Sequence, residues 1–371
     1  MLEQTSKIEE KKPTEQQIVT ASGILLKATL LSLGFAFVLL SITALGVAGF
    51  IYYKVHTFAT QAQTTVPELK TLAQDALATQ PEATDGYKTI LLLGIDSVSN
   101  KPNSPELTDT IVLLSINMNS GRIGMLSLPR DLWSSAYQTR INALYEYGKT
   151  RYPDKPEQFP QEVISELTGI PIQHTITLSL GTVAEIIDTL NGIEVSVTHG
   201  FTDDQFPRED VDVVTVKNPA DLYETVTFEQ GMQHMDGQTA LKYIRSRKSA
   251  DIEQGTDIAR SERQQQVISA LFNRVASFSL LSETKTLANL YTLYNKTFEA
   301  QLSKKEALAT LNHLLQYKDA LVLESVTPSI YPESEAGVIT NPPLYKYKGQ
   351  WVYEIREIEN FKKEVADFLK N

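Results

Sequence analysis

The chain opens on a polar stretch and then changes character: from Ala28 to Tyr53 the run ATLLSLGFAFVLLSITALGVAGFIYY carries no charged residue. Its 26 residues exceed the ~20 that cross a bilayer as a helix. Lys7, Lys11, Lys12 and Lys27 precede the run, whereas Lys54 and Lys70 follow it, so the arm 1–27 is expected to stay cytoplasmic and the bulk of the chain to lie outside the cell. The run is too long for the apolar region of a cleaved signal peptide. Residues 54–86, rich in Thr, Gln and Ala, read as a stalk ending at Asp85-Gly86.

Beyond residue 87 the apolar positions come in strand-length blocks. KTILLLGIDS is followed by TDTIVLLSIN, MNSG and RIGMLSLPRD, two apolar runs around a turn-rich tetrad. A turn centred on Asn119 and Ser120 sets an antiparallel register that places Asp109 opposite Arg130. The runs are continuous rather than alternating, which predicts strands buried on both faces. Downstream, Glu157–Thr168 has helical spacing, TITLSL is strand-like, GTVAEIIDTL helical and NGIEVSV strand-like again. This alternation argues for an α/β layered architecture. Residues 200–228 are acidic and poorly periodic and read as a surface excursion. DGQTALKYI predicts a short helix with Asp236 at its cap, and a further helix is predicted from Thr256 or Asp257. On that helix Asp257, Arg260 and Gln264 share a face that continues as Val267, Ile268 and Leu271.

Composition narrows the chemistry. A net charge of −11 argues against a nucleic-acid binder, because phosphate backbones call for a net basic domain. With no cysteine and five scattered histidines, thiolate metal sites are excluded and a hard cation on carboxylates stays open. Against this acidic background the stretch YIRSRKSADIEQGTDIARSERQQQ concentrates Arg245, Arg247, Arg260 and Arg263. Arg260 and Arg263 stand near a helix N-terminus, where cations do not help the helix but an anionic ligand is favoured.

The motifs GIDS (94–97), TDT (108–110), LPRD (128–131), RINALYEYG (140–148), NGIEV (191–195), GMQHMDGQTALKYIRSR (231–247) and TDIARSERQQQ (256–266) resemble, in order and spacing, the LytR–CpsA–Psr family. The resemblance covers roughly Lys88 to Leu271. It implies a three-layer α-β-α sandwich with a mixed central sheet, preceded by one transmembrane helix, with a catalytic domain over 87–300 and an extension, 301–371, packed on it. It also implies a membrane-anchored phosphotransferase that moves a glycopolymer from a polyprenyl-pyrophosphate carrier to peptidoglycan and releases polyprenyl phosphate. By the same resemblance Asp96 and Asp109 hold Mg²⁺, while Arg130, Arg140, Arg245, Arg247, Arg260, Gln264 and, more weakly, Arg263 line the pyrophosphate site. Arg130 and Arg260 also act in catalysis, and Asp257 is the candidate base.

Other readings stand beside these. Asp257 reads equally as a helix cap or as the ion-pair partner of Arg245 or Arg247, Asp131 as the partner of Arg140, and Asn142 as a backbone hydrogen bonder. A hydrolase that lets water attack the pyrophosphate, or a non-enzymatic glycopolymer-binding or lipid-binding module, would use the same anion site. Paired aspartates beside an anion speak against the pure binder. The Tyr-rich NPPLYKYKGQWVYEI falls outside the matched motifs and is read as a structural cap in preference to a polymer contact.

Overall fold

In the computed structural model the described residues are 15–95, 105–208, 211, 216, 218–249, 251, 253–318 and 321–370. Two units separate along the chain, Met1–Thr57 and Phe58–Asn371. Helix α1 (Glu15–Gln61), which makes up the described part of the first unit as far as Thr57, contains the apolar run. It is the one helix among the described residues long and apolar enough to cross a membrane.

The second unit begins inside the expected stalk. Helix α2 (Val66–Ala78) starts with a capping box: the Thr65 hydroxyl accepts the Glu68 N–H and the Glu68 carboxylate accepts the Thr65 N–H. Ala59, Ala62 and Ala76 are buried, so this stretch belongs to the folded body.

The central sheet is mixed. Strands β1 (Tyr87–Ile95), β2 (Thr108–Asn117) and β3 (Ile123–Ser127) form an antiparallel meander. After α3 (Leu144–Arg151) and α4 (Gln158–Thr168), strand β4 (His174–Ser179) pairs parallel to β1. The β2–β3 register pairs Val112 with Ser127 and Ile116 with Ile123, as a turn centred on Asn119 and Ser120 requires. All five residues of β3 are buried, in keeping with an unbroken apolar run.

Leu91, Leu93, Leu113 and Leu126 point to one face, where they pack with Phe159, Val163 and Ile164 of α4. The opposite face is covered by α7 (Asp257–Ala276), from which Gln265 donates to Ser127 at 3.0 Å. Helix–sheet–helix is thus the layer order. A second core gathers around α5 (Leu180–Thr189), β5 (Ile193–Val197) and α6 (Gly237–Arg245).

Residues 200–228 depart from the sequence reading. They contain β6 (Phe201–Pro207) and β7 (Tyr223–Phe228), paired antiparallel, with Phe201, Phe206, Val226 and Phe228 buried. A register shift between Asp203 and Phe206 breaks the two-residue period, and this irregularity hides the strands in the sequence. Residues beyond 301 supply part of the core itself: β8 (Leu323–Val326) extends the sheet parallel to β3, and helix α10 (Ile358–Leu369) contributes Phe361, Val365 and Leu369. After α8 (Thr284–Thr297), helix α9 (Lys304–Leu314) packs on α2 and brings Glu306 to the fully buried ammonium of Lys88.

Candidate functional site

At the ends of β1 and β2 the sheet opens into a cleft of about 540 Å³. Gly94 closes its floor, and a side chain there would have its Cβ 2.8 Å from Cβ of Thr110, so the strands approach this closely only around glycine. Asp109, Arg130, Arg245, Arg247, Arg260 and Gln264 all line the cleft.

The meander delivers the first pair. Arg130 donates from Nη1 to Asp109 Oδ1 at 2.7 Å, while Arg247 donates from Nη2 to the other oxygen at 3.0 Å. Arg260, only 4% exposed, lies close enough to act on the same carboxylate. Burial pushes the Asp109 carboxyl up, but Arg130, Arg260 and Arg247 together outweigh it and hold the group below the ordinary carboxylate value. Asp109 is therefore an anion throughout the physiological range.

Local chemistry explains how the arginines are presented. Helix α6 is capped by Asp236, whose side chain accepts the Thr239 N–H, and it ends at Arg245, where a cation is favoured by the helix dipole. Helix α7 is capped by the Thr256 hydroxyl. Between them the segment carrying Arg247 is tied down by a residue that the sequence reading passed over. Asp203, 1% exposed, accepts the backbone N–H groups of Gln205 (3.0 Å), Arg247 (3.0 Å) and Lys248 (3.1 Å). The sequence carries no local signal for it, because the register shift after Asp203 hides the strand and its partners Arg247 and Lys248 lie more than 40 residues away.

Asp203→Asn should weaken affinity for an inorganic pyrophosphate probe several-fold and cost about 1–3 kcal/mol of stability, because backbone N–H groups lose their shared acceptor. Calorimetric titration and denaturant unfolding read the two effects. Unchanged affinity would mean that Arg247 holds its place without the tether.

Two predicted residues stand apart from the cleft lining. Arg140 donates to Asp131 at 2.7 Å, and Asp131 also meets Arg130 Nε at 3.3 Å, so Arg140 braces the strand end behind Arg130. Arg263, 2% exposed, donates to the carbonyls of Ser246 (2.6 Å) and Gln254 (3.1 Å) and lies over the Phe201 ring at 4.6 Å. Its guanidinium pins the loop between α6 and α7. Accordingly the buried stripe of α7 runs through Arg260, Arg263, Val267 and Ala270, rotated from the expected one, while Gln264, Ile268 and Leu271 are half-buried.

The backbone of Asn142 donates to the Arg130 carbonyl and its carbonyl accepts from Thr108 Oγ1, so this residue supports the strand ends. Asp96 and the side chain of Asp257 lie outside the described residues; the backbone places Asp257 in the first turn of α7.

No group of three or more His, Cys, Asp and Glu side chains gathers among the described residues. Asp109 nonetheless suits a hard cation: it is ionised, it borders the cleft, and each oxygen keeps a lone pair beyond the one given to arginine.

Known proteins resemble this chain in sequence and fold. A Bacillus subtilis (strain 168) protein named polyisoprenyl-teichoic acid–peptidoglycan teichoic acid transferase TagV is 26% identical over 206 residues, 54% of this chain and 46% of that protein. TagU of Oceanobacillus iheyensis, named for the same transfer, is 29% identical over 204 residues, 54% of this chain and 55% of the relative. The chain thus spans about half the length of these two. The crystal structure of B. subtilis TagV superposes with a TM-score of 0.52 at 21% identity, covering 78% of this chain and 99% of that one. A structure of TagT bound to LIIa-WTA gives 0.51 at 20% identity, covering 79% and 97%. These likenesses confirm the fold. The profile of the LytR_cpsA_psr family matches residues 51–345, from the end of the apolar helix through both strands of the Asp109–Arg130 pair and the arginines of α6 and α7, and the chain belongs to that family.

Proposed function

We propose that the chain is a membrane-anchored phosphotransferase that moves a glycopolymer from a polyprenyl-pyrophosphate carrier to peptidoglycan. The observation that carries this reading is the convergence of Arg130, Arg245, Arg247 and Arg260 on one cleft around a single ionised carboxylate. A pyrophosphate bridging two esters is a compact anion that takes forked donors, and Arg supplies these better than Lys. The names of the TagV and TagU relatives point the same way.

In the reaction an acceptor hydroxyl oxygen attacks the phosphorus nearer the polymer, a new P–O bond forms, and the P–O bond to the lipid-side phosphate breaks. The hydroxyl proton goes to a base, for which the family resemblance makes Asp257 the candidate, and polyprenyl phosphate leaves with the electron pair. Phosphoryl transfer of this kind depends on positioning and on neutralising oxygens. Arg260, nearly excluded from water, and Arg247, tethered by Asp203, are suited to hold those oxygens without rearrangement. Asp109, with Asp96, would hold Mg²⁺, which when bound supplies further neutralisation of the pyrophosphate.

The test is a transfer assay with the full chain, lipid-pyrophosphate-linked polymer and peptidoglycan. Peptidoglycan-attached polymer and polyprenyl phosphate should appear together. Release of free polymer phosphate at the same rate without acceptor would instead establish a hydrolase, and binding without turnover a non-enzymatic module. For topology, protease added outside intact cells should remove everything after residue 54 while a tag before Lys27 stays protected. Loss of the tag would reverse the orientation.

A further inference from the structure

The cleft leaves unused the aromatic stretch NPPLYKYKGQWVYEI. Its residues form a closed loop: Asn341 Nδ2 donates to the Val352 carbonyl at 2.7 Å, a short 3-10 turn runs Leu344–Tyr347, and Lys348 and Gly349 both take positive φ to bring the chain back. Such a loop has a fixed shape. Yet Tyr345 is 81% exposed, Trp351 50% and Leu344 47%, beside the exposed Lys346, Lys348 and Gln350.

The loop is fastened to the catalytic strand end. Tyr353 N–H donates to the Asp131 carbonyl at 2.9 Å, Trp133 N–H donates to the Tyr353 carbonyl at 2.8 Å, and the Trp133 and Tyr347 rings meet edge to face at 4.8 Å. Trp133 is three positions beyond Arg130, so their Cα atoms lie at most about 11 Å apart, and Arg130 is the residue that holds Asp109. Tyr353 also lines a small cavity of about 60 Å³ with Arg130 and Asp131. The base of the loop is therefore anchored beside the segment that carries Arg130.

We infer that this loop is the subsite for the acceptor glycan: Tyr345 and Trp351 stack on successive pyranose rings of a peptidoglycan strand and hold its hydroxyl-bearing sugar toward the Arg130 side of the cleft. An aromatic ring has an electron-rich face that attracts the weakly positive axial C–H groups of a pyranose. Gln350 offers both a donor and an acceptor to ring substituents, and Lys346 and Lys348 suit carboxylates on the strand. A polyol phosphate chain offers no ring faces, and phosphate recognition would draw on arginine forks, which this loop lacks. The acceptor strand, made of pyranoses throughout, is the occupant that fits.

This subsite rests on the proposed function only for the role of its ligand, and its binding can be measured without transfer. Purified full-length chain in detergent is co-sedimented with peptidoglycan sacculi, with no donor present, for the wild type, Tyr345→Ala, Trp351→Ala and the conservative Trp351→Phe. Each alanine variant should lose at least 10-fold in sacculus affinity and Trp351→Phe should keep most of it, while affinity for a polyprenyl-pyrophosphate analogue stays within 2-fold. In the transfer assay the alanine variants should raise KM for acceptor and spare kcat. Unchanged sacculus binding would overturn the subsite, as would alanine variants that lose binding to polyol phosphate polymer or lipid vesicles in place of sacculi. Tryptophan-dependent sacculus binding in a chain that performs no transfer would uphold the subsite and discard the phosphotransferase.

Discussion

Asp109→Ala is expected to lower transfer by about 10²–10³-fold, the scale set by removing one fixed charge-stabilising group from an active site. The same substitution should leave pyrophosphate-analogue affinity in the absence of Mg²⁺ undiminished or raise it, because Arg130 and Arg247 lose the carboxylate that now competes for them. Added Mg²⁺ should tighten binding in the wild type and should not do so in the variant. Titrations with and without the metal separate this from general damage to the site, in which both affinities fall. Transfer that persists with chelator present would sink the metal assignment.

Stability carries a matching signature. The folded pKa of Asp109 is depressed, so its contribution is fully present above the ordinary carboxylate value of about 4 and is lost as pH falls below it. Acid unfolding should accordingly show a steeper loss in wild type than in Asp109→Ala. Parallel curves would place Asp109 outside the charge cluster.

Arg260→Lys separates a guanidinium that works from one that merely carries charge. Lysine keeps the positive charge but not the fork, and at 4% exposure there is no water to supply the lost hydrogen bonds. Each charge-assisted bond removed costs about 1.5–3 kcal/mol, equivalent to about 10–150-fold in affinity, with the transition state affected at least as much. Lys363→Ala, an exposed position on α10, serves as the control and should change nothing. Near-wild-type transfer by Arg260→Lys would relegate the arginine cluster to structure.

Much of the fold was legible because its strands are written as unbroken apolar runs and its helices carry their caps. Asn119 and Ser120 were enough to bring Asp109 to Arg130, since an antiparallel register follows from the turn alone. The strands at 201–207 and 223–228 were not legible, because an irregular register and acidic residues mask their alternation. The site was read as a list of arginines, and the list could not say which guanidinium faces the cleft. Arg263 and Arg260 are three residues apart on one helix, yet the first is consumed by the carbonyls of Ser246 and Gln254. Asp203 escaped for the converse reason: its partners are backbone N–H groups of a distant loop, which no local pattern announces.

The placement of α10 has a consequence for how the molecule is made. Phe361, Val365 and Leu369 pack in the same cluster as Leu91 and Leu93, and Lys88 finds its counter-charge in Glu306, so the earliest strand of the sheet is completed by segments synthesised more than 200 residues after it. A ribosome delivering this chain at ~5–20 residues per second therefore leaves that strand without its partners for at least ~10 s. During that interval β3, whose neighbour β8 has yet to be made, is an apolar edge open to pairing with other chains, and the non-local closure that ends it is intrinsically slow. Yield in the cell should thus depend on holding the nascent polypeptide apart until its distal helix has been delivered.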